Sequence, residues 1–229
     1  MSAYLSVLRR CALFEGIEEK DLPDMLNCMS VKEKQYQKGE VILPEGETAE
    51  YFGIVLQGNV QIVRLDYFGN RSILSVLEAP QLFGESFACA ATALPVSVIA
   101  ATEVTVLLIN AARITQTCCR ACSFHERLIF NLLRVVARKN IAFHQKLEVT
   151  SRRSTRDKLL TYLLILAKEQ QTRQITVSFN RQELADYLEV DRSGLSAEIG
   201  KLRREGVLEC HKNRFTFLDD AEIGADDYS

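Results

Sequence analysis

Along this chain the apolar positions change their period twice. Between Leu5 and Met29 the residues Leu13, Phe14, Ile17, Leu22, Met25 and Leu26 recur at helical spacing in brief runs, which predicts short helices. From Tyr36 the runs become strand-like. Residues 38–43 read as a strand ended by Pro44, Glu45 and Gly46. Residues 51–56 and 60–65 follow, with a turn at Gly58 and Asn59 between them. A second turn at 68–71 leads to a strand over 72–77, and residues 97–109 are rich in β-branched side chains. Short strands broken by Gly, Asn and Pro at regular spacing predict a β-sandwich or barrel.

After Ala111 the period returns to that of a helix. Ile129, Leu133, Val136, Asn140, Phe143 and Leu147 are spaced 4-3-4-3-4. That is the seam of a coiled coil, with Asn140 as the single polar residue that fixes register and dimer state. A second stripe, Leu128, Leu132, Val135 and Ala142, faces elsewhere and suits packing on the β domain. Two apolar stripes ask for two partners, which favours a dimer helix over one amphipathic helix buried in a monomer. The polar, basic segment 151–155 is a hinge candidate, with Ser154 or Thr155 as N-cap of a helix over 156–170.

The C-terminal third carries the clearest local grammar. Asn180 precedes Glu183 by three residues, the spacing of a capping box. Leu184, Ala185 and Leu188 give that helix its apolar face. Asp191 caps the next helix, which turns Leu195, Ile199 and Leu202 inward and leaves Arg192, Ser193, Ser196 and Lys201 outward. Two short helices joined through Glu189 and Val190 read as a helix-turn-helix whose second member enters the major groove. Arg192 suits a bidentate contact with guanine. Arg181 and Gln182 suit phosphate, and so do Lys212 and Arg214 on a hairpin turning at 211–213 that reads as a wing. Gly194 and Gly200 lie inside the reading helix and weaken it.

Composition narrows the class. The chain has 229 residues, 47% hydrophobic and 25% charged, so it buries a core and is not of a disordered type. Its formal net charge of -2 conceals a division. Residues 151–218 hold 13 Lys and Arg against 9 Asp and Glu, and residues 219–229 hold 5 acids and no base. A basic block suits a polyanion partner. No stretch has the layout of a signal peptide or the roughly 20 apolar residues of a membrane span. The expected location is therefore cytoplasmic, without membrane contact, and the 7 cysteines are expected as thiols. No Gly-rich phosphate loop, HExxH or paired CxxC appears, so the chain does not read as an enzyme.

Taken together, these segments resemble the Crp/Fnr family, that of the cyclic AMP receptor protein and the fumarate-nitrate reduction regulator. The resemblance rests on Lys38-Gly39-Glu40-Val41-Ile42, Glu45-Gly46-Glu47, Ile54 through Val60, Phe83-Gly84-Glu85, Arg181 through Ala185, and Asp191 through Ser196. It implies an α+β fold with a cyclic-nucleotide-binding-like β-barrel of jelly-roll type over 1–122. A long dimerisation helix would follow over 123–150, then a winged helix-turn-helix over 151–218 and an acidic tail over 219–229. It also implies a homodimer on a palindromic operator in double-stranded DNA, controlled by a small effector, with RNA polymerase as partner if the protein activates. The family's reading helix commonly carries a polar residue, a serine and an arginine at three outward positions. Here they are Ser193, Ser196 and Ala197, so the arginine is missing and more of the readout falls to Arg192.

The same resemblance places the effector pocket at Gly84, Glu85, Ser86, Phe87, Cys89, Pro95, Val96 and Ser97, with Phe143 and His144 from the long helix. In nucleotide-binding relatives the glutamate takes the ribose and a later arginine takes the cyclic phosphate. Here Pro95 stands at the arginine's position, and residues 84–101 contain no Lys or Arg. A buried phosphate without a cation is costly. Cyclic AMP is therefore not the expected effector, and an uncharged or weakly polar small organic molecule is. The alternative is a thiol-redox, metal or haem sensor of the same fold. Cys118, Cys119, Cys122 and His125 are the densest thiol and imidazole cluster, and His144 is the haem-ligand candidate. Small apolar cysteines in a core are the other reading of that cluster.

Overall fold

The computed structural model describes residues 4–65, 71–115 and 123–218, and the chain divides into two compact units, Met1–Arg138 and Lys139–Ser229. In the first unit, α1 (Leu5–Leu8), a 3-10 turn (Ala12–Phe14) and α2 (Leu22–Cys28) bury Leu13, Phe14, Leu22, Met25 and Leu26, as their helical spacing predicted, and Leu8 besides, while Ile17 is part-buried. The strands are β1 (Lys32–Tyr36), β2 (Val41–Leu43), β3 (Tyr51–Gln57), β4 (Asn59–Leu65), β5 (Arg71–Glu78), β6 (Leu82–Phe83), β7 (Ser97–Ala100) and β8 (Val104–Asn110). Helix α3 (Glu85–Ala90) lies between β6 and β7, and α4 (Ala111–Thr115) follows β8.

Two four-stranded antiparallel sheets result, ordered β1-β8-β3-β6 and β2-β7-β4-β5. They form a jelly-roll-like pair and not a closed barrel. Strands β3 and β8 are buried along almost their whole length because they have a core on each face. Phe52, Ile54, Leu56, Leu107 and Ile109 pack with the helices. Val55, Val104, Val106 and Leu108 pack with Phe83 of the same sheet and with Val60 and Val98 of the second. That is why 104–109 is buried at every position, with Thr105 its one polar residue, and does not alternate. The sequence also misplaces one feature: Lys38 to Glu40 form a turn ahead of β2, and β1 before it is polar and exposed. Gly58 makes the turn expected between β3 and β4, and the strands it joins belong to different sheets. Its φ is +78°, and a Cβ there would stand 2.2 Å from the Glu103 carbonyl oxygen, so only glycine makes this corner. Gly53 leaves room for the Phe83 ring, which a Cβ would approach to 1.9 Å.

Helix α5 (Ser123–Thr150) runs 28 residues. Leu128, Leu132 and Val135 join the first unit's helical core, as their stripe predicted, whereas Ala142 is exposed. Between them Asn131, 2% exposed, spends both amide protons on carbonyls of the N-terminal segment: Leu13 at 3.0 Å and Glu15 at 2.8 Å. His125, also buried, donates from Nε2 to the Ile114 carbonyl at 2.9 Å. Arg134 reaches Glu15 at 3.5 Å.

The second unit holds α6 (Thr155–Gln170), β9 (Gln174–Thr176), α7 (Arg181–Leu188), α8 (Arg192–Arg204), β10 (Leu208–His211) and β11 (Arg214–Phe217). Its sheet is ordered β10-β11-β9. Ser154 caps α6 by accepting from the Asp157 amide at 3.0 Å. Val149, near the end of α5, is fully buried in the core formed by Leu159, Leu163, Leu184, Leu195, Ile199 and Phe215.

Replacing Asn131 by alanine strands the buried Leu13 carbonyl and frees the part-buried Glu15 carbonyl, a buried acceptor costing about 1–3 kcal/mol without a partner. Asn131→Ala is expected to lower stability by about 2–4 kcal/mol, read from the urea midpoint at unchanged m-value. A change under 0.5 kcal/mol would show that water replaces the amide there.

Candidate nucleic-acid interface and sensor site

Two helices meet through a turn that the chain stabilises from several directions. At the start of α7 the capping box forms in full. Asn180 Oδ1 accepts from the amides of Gln182 and Glu183 at 2.9 and 3.0 Å, and Glu183 accepts from the Asn180 amide at 2.7 Å. The helix ends at Glu189, whose φ of +53° costs a non-glycine residue some strain. The Leu188 and Glu189 carbonyls freed there accept from Lys158 Nζ at 3.1 and 3.3 Å. A cation at a helix C-terminus also suits the helix dipole. Asp191 then caps α8, accepting from the Gly194 amide at 2.9 Å and from the Ser193 hydroxyl.

The angle of α8 against α6 is held by charge. Arg156 Nη1 lies 2.6 Å from Glu205 and 3.5 Å from Glu198. Sequence inspection did not single out Arg156 or Lys158, because nothing local links a residue in α6 to a turn some 30 positions later.

The nine residues expected at DNA divide by what their side chains already engage. Arg192, Ser196 and Lys201 are exposed on α8, and Lys212 and Arg214 are exposed on the wing. Gln182 and Asp191 are exposed but engaged: Gln182 donates to Asp186 at 2.8 Å, and Asp191 caps its helix. Ser193 is exposed with its one hydroxyl proton committed to Asp191, so it offers lone pairs only. Arg181 is tied to the wing. Its Nη2 donates to the Lys212 carbonyl at 3.0 Å and to Cys210 Sγ at 3.4 Å, and its guanidinium stacks over Phe215. It positions the wing against α7 as well as bearing charge.

In the first unit Gly84, in the left-handed conformation, leads into α3. Glu85 is 3% exposed, and Ala88 and Val96 are buried. Phe87 and Ser97 are part-buried, and Ser86 and Pro95 are exposed. Ser97 Oγ accepts from the Glu45 amide at 3.2 Å, which ties the 44–50 loop to β7. Cys89 is exposed on α3, and partial desolvation of its thiol, with the Glu85 charge a lesser cause, pushes that thiol up, away from a reactive thiolate. Phe143 and His144, an edge-to-face pair with centroids 6.4 Å apart, belong to the second unit and are exposed. Cys118, Cys119 and Cys122 lie outside the described residues. Among the described residues no group of three or more His, Cys, Asp or Glu is placed to hold a metal. No helix among them is long and apolar enough to cross a membrane.

Against known proteins, residues 33–120 match the model of the cyclic nucleotide-binding domain, and residues 157–222 match that of the Crp-like helix-turn-helix domain. No curated protein sequence matches the chain. Among solved structures, the catabolite activator protein of Thermus thermophilus is 20% identical, with a TM-score of 0.55, over 93% of this chain and 96% of that one. The c-di-GMP responsive global regulator CLP of Xanthomonas campestris is 16% identical, with a TM-score of 0.53, over 88% and 100%. CprK complexed with OCPA is 13% identical, with a TM-score of 0.60, over 87% and 91%. At these identities the likeness is one of fold.

The caps have a pH signature. Donation from the Ser193 hydroxyl and then the Gly194 amide holds the Asp191 carboxyl below its ordinary value, and the Arg156 hydrogen bond does the same for Glu205. A folded-state value below the unfolded one contributes stability that is fully present above the unfolded pKa and is lost as pH falls through the folded value. The helix-turn-helix is therefore expected to lose stability below about pH 4. An Asp191→Ala, Arg156→Met chain should show a shallower fall in urea midpoint between about pH 6 and about pH 3. An equally steep fall in that chain would assign the acid sensitivity to other groups.

Proposed function

The chain belongs to the Crp/Fnr family of transcription regulators, a cyclic nucleotide-binding domain followed by a Crp-like helix-turn-helix, and on that premise we propose how it works. It acts as a cytoplasmic homodimer that reads a palindromic operator, with DNA affinity set by a small effector in the jelly roll. RNA polymerase is its partner where it activates. The observation that carries this reading is α8 itself: a helix capped at Asp191, clamped from behind by Arg156, with Arg192, Ser196 and Lys201 exposed and available.

The dimer rests on α5. Of its seam residues, Ile129, Leu133, Phe143 and Leu147 are 44–65% exposed along the helix and Asn140 is exposed among them, while Val136 is part-buried against the first unit's core. A run of large apolar side chains at 4-3-4 spacing on one helix is covered most simply by its counterpart in a second copy. Sedimentation at micromolar concentration is expected to give a dimer, and a monomer would remove the seam.

The effector is of another kind than cyclic AMP. A cyclic phosphate carries a charge that needs a cation, and residues 84–101 supply none. Glu85 adds a buried carboxylate to the same segment. CLP is named as c-di-GMP responsive and CprK is complexed with OCPA, so this fold is compatible with chemically different small molecules. A small, weakly polar organic molecule suits the cassette from Phe87 to Leu94.

Two measurements test the reading. Operator binding by the wild-type chain is expected to weaken steeply with salt. Arg192→Ala should lower the preference for operator over random duplex by about 1–3 kcal/mol while leaving random-duplex affinity nearly unchanged. Equal loss on both duplexes would make Arg192 a phosphate contact. Titration with cyclic AMP and cyclic GMP should give neither heat nor a rise in Tm. Micromolar binding would mean that a cation from another segment or from the second subunit completes the pocket.

A further inference from the structure

The first turn of α8 holds a hydroxyl whose proton is already spent. Ser193 donates to Asp191 Oδ2, and the Gly194 amide donates to the same oxygen at 2.9 Å. These donors hold the Asp191 carboxyl below its ordinary value, so it stays ionised at neutral pH and keeps accepting. Asp191, Arg192 and Ser193 are all exposed. They stand at the end of the helix whose first residues meet base edges in a helix-turn-helix.

A serine hydroxyl has one proton and two lone pairs. With the proton committed, Ser193 Oγ meets a base as an acceptor only. The carboxylate bonded to it is an acceptor as well. Ser196, three residues on, makes no side-chain hydrogen bond among the described residues and keeps both roles. The two serines of the reading face therefore differ in what they can discriminate.

The four bases answer an acceptor differently. In the major groove guanine offers two acceptors, and thymine an acceptor and a methyl group. Either would set lone pairs against lone pairs. Adenine offers an amino group beside the N7 acceptor, which opposes the second acceptor of the pair. Cytosine alone offers an amino group with no acceptor next to it.

We infer that Asp191 fixes Ser193 as an acceptor, and that Ser193 reads the 4-amino group of a cytosine in each half-site. The inference rests on the DNA-binding reading and deepens it. Arg192 brings donors to guanine, and its neighbour on the same turn brings acceptors to cytosine. Asp191 acts through Ser193, as a positioning residue.

The test begins with the half-site that the full wild-type chain selects from a pool of random duplexes. One position is expected to be cytosine, preferred over guanine and thymine about tenfold. In Ser193→Ala that preference should fall to about twofold or less, with the position read by Arg192 unchanged. Replacing this cytosine by 2-pyrimidinone, which lacks the 4-amino group, should cost wild type about tenfold in affinity and Ser193→Ala nothing further. Asp191→Gly keeps a tolerated N-cap and releases the Ser193 proton. Guanine and thymine should then be accepted at that one position, within about twofold of cytosine. A base other than cytosine at the position that depends on Ser193 overturns the assignment. So does a half-site that Ser193→Ala leaves unchanged or weakens equally throughout, or an equal penalty for 2-pyrimidinone in both chains. An undiminished cytosine preference in Asp191→Gly overturns the lock. Without DNA, the Asp191 carboxyl resonance should titrate at lower pH in wild type than in Ser193→Ala, and equal titrations also overturn the lock. A wild-type chain that selects no sequence defeats the DNA reading and the base assignment with it, and the titration still decides the lock.

Discussion

One helix has to bury more than one apolar stripe, and the architecture follows from how it does so. Leu128, Leu132 and Val135 of α5 go into the first unit's core, and Val149 goes into the second's. An apolar face in water costs roughly 25 cal/mol per Å², so a 28-residue helix of this composition is stable only with such cores to enter. Asn131 fixes which face turns inward. Its amide satisfies two carbonyls that the 3-10 turn leaves open, and a helix rotated by one position would strand all three groups. The outward stripe from Ile129 to Leu147 is what remains, and the dimer proposal uses it.

In the second unit polar groups set geometry where apolar packing cannot. Leu195, Ile199 and Leu202 hold α8 to the core but leave it free to roll or slide. Arg156 removes that freedom by engaging Glu198 and, about two helical turns on, Glu205 at the C-cap of α8. Lys158 closes the turn by filling the acceptors at the end of α7. The exposed tip of α8 is presented by a frame whose charged members are mostly satisfied. The cations left over lie on the reading face and on the wing, where a polyanion is the natural complement.

The sensor shows the opposite balance. Its interior is made by Phe83 against Gly53 and by valines from both sheets, and its cassette brings a carboxylate without a nearby basic residue in sequence. On that chemistry rests the proposal that the effector is other than cyclic AMP.

Local rules were enough for much of this. The capping residues Ser154, Asn180 and Asp191, the inward stripe of α5 and the apolar faces of α7 and α8 were legible in the sequence. Each depends on residues within about four positions of one another, so spacing carries the information. Strand content was legible too, but the pairing was not. The Gly58 turn was legible, but that β3 and β4 on either side of it join different sheets was not, because a turn's residues fix its φ and not its partners. Likewise Asn131 reaches back more than a hundred residues, and Lys158 serves a turn thirty residues on. Such contacts are decided by which elements pack together, and a one-dimensional pattern has no term for that.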